Sequence, residues 1–208
     1  MVIIHTQQAQ ECLVTMAALT FLGAAQQVTG SCYLIDTGRK RILLECGIRQ
    51  GKDKLDTDYQ TSFVFDPRSI DAMVLSHAHL DHSGLVPLLA KEGYEGPIYT
   101  TTATADQLPI VYKDAASLLR SDIDRRKPLV RIYGEDIAVR AQIHTLGGFS
   151  AHAGQDQLLN WASNFQPQKP RLFLVHGEFK AMQALQKRFV REYQWDAYIP
   201  SLGENITL

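Results

Sequence analysis

Residues 71–82 read DAMVLSHAHLDH: an apolar run that leads, one serine later, into a cluster of metal-ligand side chains. Such a run is expected of a strand buried on both faces, inside a sheet that other elements cover on each side. The cluster places His77, His79, Asp81 and His82 within six positions of a chain that has seven histidines in all. A solvated loop or a helix N-cap accounts for a single histidine or aspartate. It does not account for that density, so the expectation is a metal site at the end of a buried strand. In extended backbone, residues two apart point to the same side, so His77 and His79 are placed to share one ion. Asp81 and His82, at the turn into the next helix, face a second position beside it. Imidazole nitrogen with carboxylate oxygen suits zinc, with manganese or iron as alternatives. Two neighbouring ions would share a water, lower its pKa and clamp a displacement at a phosphate or a carbonyl.

A second apolar run, RLFLVHG, also ends in a histidine, His176. Ligand sites in open α/β sheets gather beyond the carboxyl ends of strands, so His77 and His176 are expected to converge. The segments LTFLGA, SCYLIDT and KRILLECG read as a meander of strands with a hairpin turn at Asp-Thr-Gly, and GPIYTT reads as another strand. SGLVPLLAKEG predicts a short helix with Pro87 in its first turn, and TADQLPIVYKDAASLLRS a longer one that Pro109 kinks or begins. Leu158, Ala162 and Phe165 fall at helical spacing, as do Met182, Leu185, Phe189 and Tyr193, and both stripes are read as core packing. DAYIPSLGENITL closes with strand-like material. The first fifteen residues lack a clear period and are read as an extension preceding the domain at 16–208.

A length of 208 residues makes one domain the default. With 21 basic and 22 acidic residues the net charge is -1, which excludes an overall basic field for nucleic acid. The densest basic run, DRRKPLVR at 124–131, is read as a solvated linker. Three cysteines without a Cys-x-x-Cys spacing argue against a disulfide framework or a thiolate zinc knuckle, and fit a reducing cytoplasm. Residues 16–25 are apolar enough for a leader, but the first basic side chain is Arg39, so none is expected. No run approaches the ~20 apolar residues of a membrane span.

HAHLDH resembles the His-x-His-x-Asp-His signature of the metallo-β-lactamase fold. Together, FLGAAQQVTGSCYLID, ILLECG, GGFSAHAGQ and VHGE are similar to the β-CASP branch of that fold, RNA-processing nucleases related to the cleavage and polyadenylation endonuclease. The resemblance covers roughly residues 16–120 and 129–208. It implies an α/β fold, an αβ/βα sandwich of two mixed sheets flanked by helices. It also implies that His77 and His79 hold one zinc ion, and that Asp81, His82 and His176 hold another. Asp81 then counts as catalytic, together with His152 of FSAH, which would contact the scissile phosphate and serve as general acid. Gly147, Gly148 and Ser150 would shape that loop, and Glu45, where the family often has aspartate, would brace the metal loop.

The pattern departs from the family in its middle. A histidine in a glycine-flanked loop and an aspartate bridging the ions are missing, and the β-CASP insert is absent at a junction placed at 121–128. Strands are therefore expected to be missing from the middle of the sandwich. Two zinc ions need about seven donors, whereas the matched motifs supply His77, His79, Asp81, His82 and His176. His144 or a second subunit could complete the first pair; otherwise His144 and His5 carry no motif and are read as structural or exposed. The leading expectation is a metal-dependent hydrolase cleaving RNA phosphodiesters through a metal-activated hydroxide. The alternatives are a non-catalytic, metal-binding remnant acting as an assembly module, and a small-molecule ester or thioester hydrolase. Sheet edges left by the gap predict a homo-oligomer.

Overall fold

Along the first strands successive side chains point to opposite sides of one sheet, and both sides are apolar. The computed structural model describes residues 2–5, 16–49, 62–124, 129–132, 135–138 and 153–208. Strands β1 (Val2–His5), β2 (Ala18–Gly23), β3 (Cys32–Asp36) and β4 (Arg41–Cys46) are followed by β5 (Ala72–Val74) and β6 (Ile98–Tyr99). The second half contributes β7 (Leu129–Ile132), β8 (Glu135–Ala138), β9 (Arg171–Leu174), β10 (Ala197–Tyr198) and β11 (Asn205–Thr207). The helices are α1 (Leu80–Ser83), α2 (Val86–Lys91), α3 (Thr102–Asp124), α4 (Gln155–Ser163) and α5 (Phe179–Tyr193).

Six strands form one mixed sheet in the order β11-β2-β3-β4-β5-β6. Its β2–β3–β4 part is the expected antiparallel meander, and β5 and β6 continue it in parallel. At the β3–β4 turn Gly38 takes a positive φ of 73°, and its N–H donates to Asp36 Oδ1 at 2.7 Å. A second mixed sheet runs β1-β9-β10, with β9 antiparallel to β1 and parallel to β10. Val2–His5 thus pairs into a sheet, although the sequence reading set its stretch apart as an extension. β7 and β8 form a separate hairpin.

The alternation along β2, β3 and β9 decides which layers meet. Phe21, Tyr33 and Phe173 are fully buried between the two sheets, the Phe21 ring 5.5 Å from Phe173 and 6.0 Å from Tyr33. The neighbouring residues Cys32, Leu34 and Leu43 turn to the other face, where Met73, Leu89 and Tyr94 pack against them. On β9 the neighbours Leu172 and Leu174 turn outward onto Met182, Phe189 and Ala162 of the flanking helices. Each such aromatic or aliphatic side chain gains roughly 1.5–3 kcal/mol on burial. The layers are therefore helix, sheet, sheet, helix, as the sequence led us to expect. α3 runs through Pro109, which forgoes the hydrogen bond to the carbonyl four residues back, so this proline does not mark the helix start. Among the described residues, no helix is long and apolar enough to cross a membrane.

Candidate metal centre

The parallel strands β4 and β5 end side by side, and the segment after β5 is pinned where they end. Ser31 N–H donates to the Asp81 carbonyl at 2.8 Å, Gly47 N–H to the Ser31 carbonyl at 2.9 Å, and Ile48 N–H to the Leu80 carbonyl at 2.9 Å. Gly47 has to be glycine here, because a Cβ would stand 1.8 Å from the Asp81 carbonyl oxygen. The Ser83 hydroxyl donates to the Ala78 carbonyl at 3.0 Å, and the Tyr112 hydroxyl to the Ser83 carbonyl at 3.0 Å. The cluster of the sequence motif is thus held by backbone contacts from two other segments and by the Tyr112 hydroxyl from a third, a rigid frame for ligands.

Glu45 braces this frame from inside. It is fully buried at a positive φ of 62°, a conformation costly for a residue with a Cβ. One carboxylate oxygen accepts the Ser76 N–H at 3.0 Å, and the other lies 3.2 Å from His82 Nδ1. His176 follows β9, also at positive φ (60°), with its N–H on the Ala24 carbonyl at 2.8 Å and its Nδ1 3.2 Å from the Ser31 hydroxyl. Both histidines therefore have Nδ1 engaged and present Nε2 to the same side. Asp81 Oδ2 lies 3.6 Å from His82 Nε2 and 3.9 Å from His176 Nε2.

The ligand atoms of Asp81, His82 and His176 all lie within 4.8 Å of one another. Two imidazoles and a carboxylate at that spacing fit a zinc-type ion, and engaged Nδ1 atoms are the usual companions of Nε2 ligation. His77 sits beside them, its ring 4.1 Å from that of His82 and 4.6 Å from that of His79. Its Nδ1 is 2.9 Å from the Ser76 hydroxyl, and burial, then the neighbouring His82 and His79, holds its pKa below the ordinary histidine value. Among the described residues no third donor joins His77 and His79. His152, Gly147, Gly148, Ser150 and His144 lie outside the described residues. Sequence reasoning gave no role to Ser31 or Ser76; the apposition of Ser31 to a residue 145 positions away leaves no local signal.

The fold and this centre define the class. The model of the metallo-beta-lactamase superfamily matches residues 25–154, more than half of the chain, and the chain belongs to that superfamily. A second model, a Zn-dependent metallo-hydrolase RNA specificity domain, matches residues 136–200. The chain is 47% identical over 97 residues to ribonuclease TTHA0252 of Thermus thermophilus, a match covering 47% of this chain and 22% of that protein. It is 46% identical over 97 residues to the transcription termination factor FttA of Methanosarcina mazei, covering 46% and 15%. To Integrator complex subunit 11 of Danio rerio it is 40% identical over 101 residues, covering 46% and 17%. These relatives are β-CASP nuclease family members, which bears out the resemblance noted in the sequence. The matched stretch spans less than a quarter of the length of each.

Proposed function

We propose that the chain is a metal-dependent phosphodiesterase acting on RNA, with zinc as its ion. The observation that carries this reading is the Asp81–His82–His176 cluster, with both imidazole Nδ1 atoms engaged by Glu45 and Ser31. An ion bound there supplies a lowered water pKa and neutralises charge on the phosphate. The Asp81 carboxylate, facing both histidines, orients the attacking water. In such a hydrolysis a bond from water oxygen to phosphorus would replace the bond to the leaving oxygen, the water proton would pass to solvent, and His152 of the FSAH motif would give the leaving oxygen its proton. Gly147, Gly148 and Ser150, of the same motif, are assigned to substrate binding on the resemblance alone. The free Cys32 and Cys46 suit a reducing cytoplasm, and β6 and β11, the edge strands of the larger sheet among the described residues, suit a homo-oligomer.

A second reading is a non-catalytic metal-binding module, favoured by the lack of a third donor for His77 and His79 among the described residues. Metal per chain, measured after purification without chelator, together with turnover of a model phosphodiester and an ester, separates them. Phosphodiester cleavage that His79→Ala abolishes supports the hydrolase. One ion and no cleavage supports the module, and cleavage of the ester alone turns the assignment to small molecules.

A further inference from the structure

We infer that Ser31 is a positioning residue for the metal centre: its hydroxyl accepts from His176 Nδ1–H, fixing the tautomer whose Nε2 lone pair faces Asp81 and His82. The inference rests on the metal-binding reading above and adds a residue to it. His176 arrives from the second half of the chain, whereas Asp81 and His82 belong to the first. Ser31 touches both. Its N–H holds the Asp81 carbonyl at 2.8 Å, its own carbonyl accepts the Gly47 N–H at 2.9 Å, and its hydroxyl lies 3.2 Å from His176 Nδ1.

Three features make this more than packing. Ser31 is fully buried, so its hydroxyl faces protein groups and not solvent. His176 stands at a positive φ of 60°, a backbone state that surrounding contacts must maintain. And the Ser31 hydroxyl lies 3.2 Å from His176 Nδ1, within hydrogen-bond distance, on the ring nitrogen opposite the Nε2 that lies 3.9 Å from Asp81 Oδ2. The arrangement is the neutral counterpart of Glu45 on His82: a carboxylate fixes one imidazole and a hydroxyl the other. A tautomer held by a hydroxyl carries no buried charge, so it orients His176 without the desolvation penalty of a second carboxylate.

The test uses the whole chain, stripped with chelator and titrated with zinc against a competing chromophoric chelator, in wild type and Ser31→Ala. The expected result is a loss of zinc affinity of about 10–100-fold. In parallel, long-range 1H–15N correlations on the metal-free protein read the His176 tautomer. Wild type is expected to carry the proton on Nδ1 and Ser31→Ala to lose that preference, a change that a role in packing alone would not produce. Equal zinc affinity with an unchanged tautomer overturns the inference. If wild type binds no zinc, the metal-binding reading fails while the tautomer measurement still decides the role of Ser31. Should the alanine variant not fold, Ser31→Cys, similar in shape but a weak acceptor, must show the same tautomer change.

Discussion

Glu45 Oε2 lies 3.2 Å from His82 Nδ1, with both side chains removed from solvent. Because the other carboxylate oxygen already accepts the Ser76 N–H, Glu45 satisfies the loop backbone and orients the imidazole at once. A carboxylate is acceptor-only, so the proton between the pair sits on Nδ1 and leaves Nε2 as a lone pair.

Glu45→Gln is therefore expected to invert the imidazole while keeping the shape. The amide oxygen accepts from Ser76 and the NH2 donates to Nδ1, which moves the ring proton to Nε2 and blocks ligation. Zinc affinity should fall by about 10–100-fold with little change in unfolding midpoint. Competition with a chelator measures the first and urea denaturation the second. Unchanged affinity would mean that Glu45 serves only the loop backbone.

The strand-end histidines were legible because their signal is local: HAHLDH packs its ligand types into adjacent positions, and RLFLVHG ends a buried strand. Layer order came with the resemblance of HAHLDH, FLGAAQQVTGSCYLID and VHGE to the metallo-β-lactamase fold, and the structure fills the space between the two sheets with Phe21, Tyr33 and Phe173, one from each of three strands. What escaped depends on distant pairing. β1 is four residues long, and its register, Val2 opposite Leu174, is set by a partner at the other end of the chain. Pro109 marked a helix start or a kink by its chemistry, yet packing of Leu108 and Tyr112 against the core carries α3 past it.

His77 makes the metal-free fold sensitive to acid. Burial and the neighbouring His82 and His79 lower its folded pKa, so as pH falls the unfolded chain takes up this proton first. Stability is then lost as pH drops through the ordinary value of about 6.5, and the loss is complete below the folded pKa. Urea midpoints in chelator between about pH 7.5 and pH 5 should decline, and His77→Gln should flatten that slope. A wild-type midpoint that rises on acidification contradicts the assignment.

Tyr33 tests the core between the sheets. Its ring is fully buried, and burial pushes its hydroxyl pKa far up, with the Ser31 hydroxyl pulling it partly back. Among the described residues the oxygen has no partner in good hydrogen-bond geometry. Tyr33→Phe keeps the ring contacts with Phe21 and removes a desolvated hydroxyl. It is expected to be neutral or stabilising by about 1 kcal/mol in urea unfolding. A loss above about 2 kcal/mol would instead show a bond to Ser31.

Gly47 is the point where strand β4 touches the metal loop, and it admits no side chain. A Cβ would lie 1.8 Å from the Asp81 carbonyl oxygen and 2.6 Å from the His82 nitrogen. Both atoms are backbone, and neither can rotate away as a side chain could. Gly47→Ala must push Asp81 and His82 outward, breaking the Ser31 N–H contact to Asp81. The expected cost is about 3 kcal/mol in unfolding free energy, and zinc binding should weaken in the same variant. The sandwich core, built on Phe21 and Phe173 away from this contact, should keep its far-ultraviolet circular dichroism below the new midpoint. Full stability with intact zinc affinity would show that the loop has room the structure does not display.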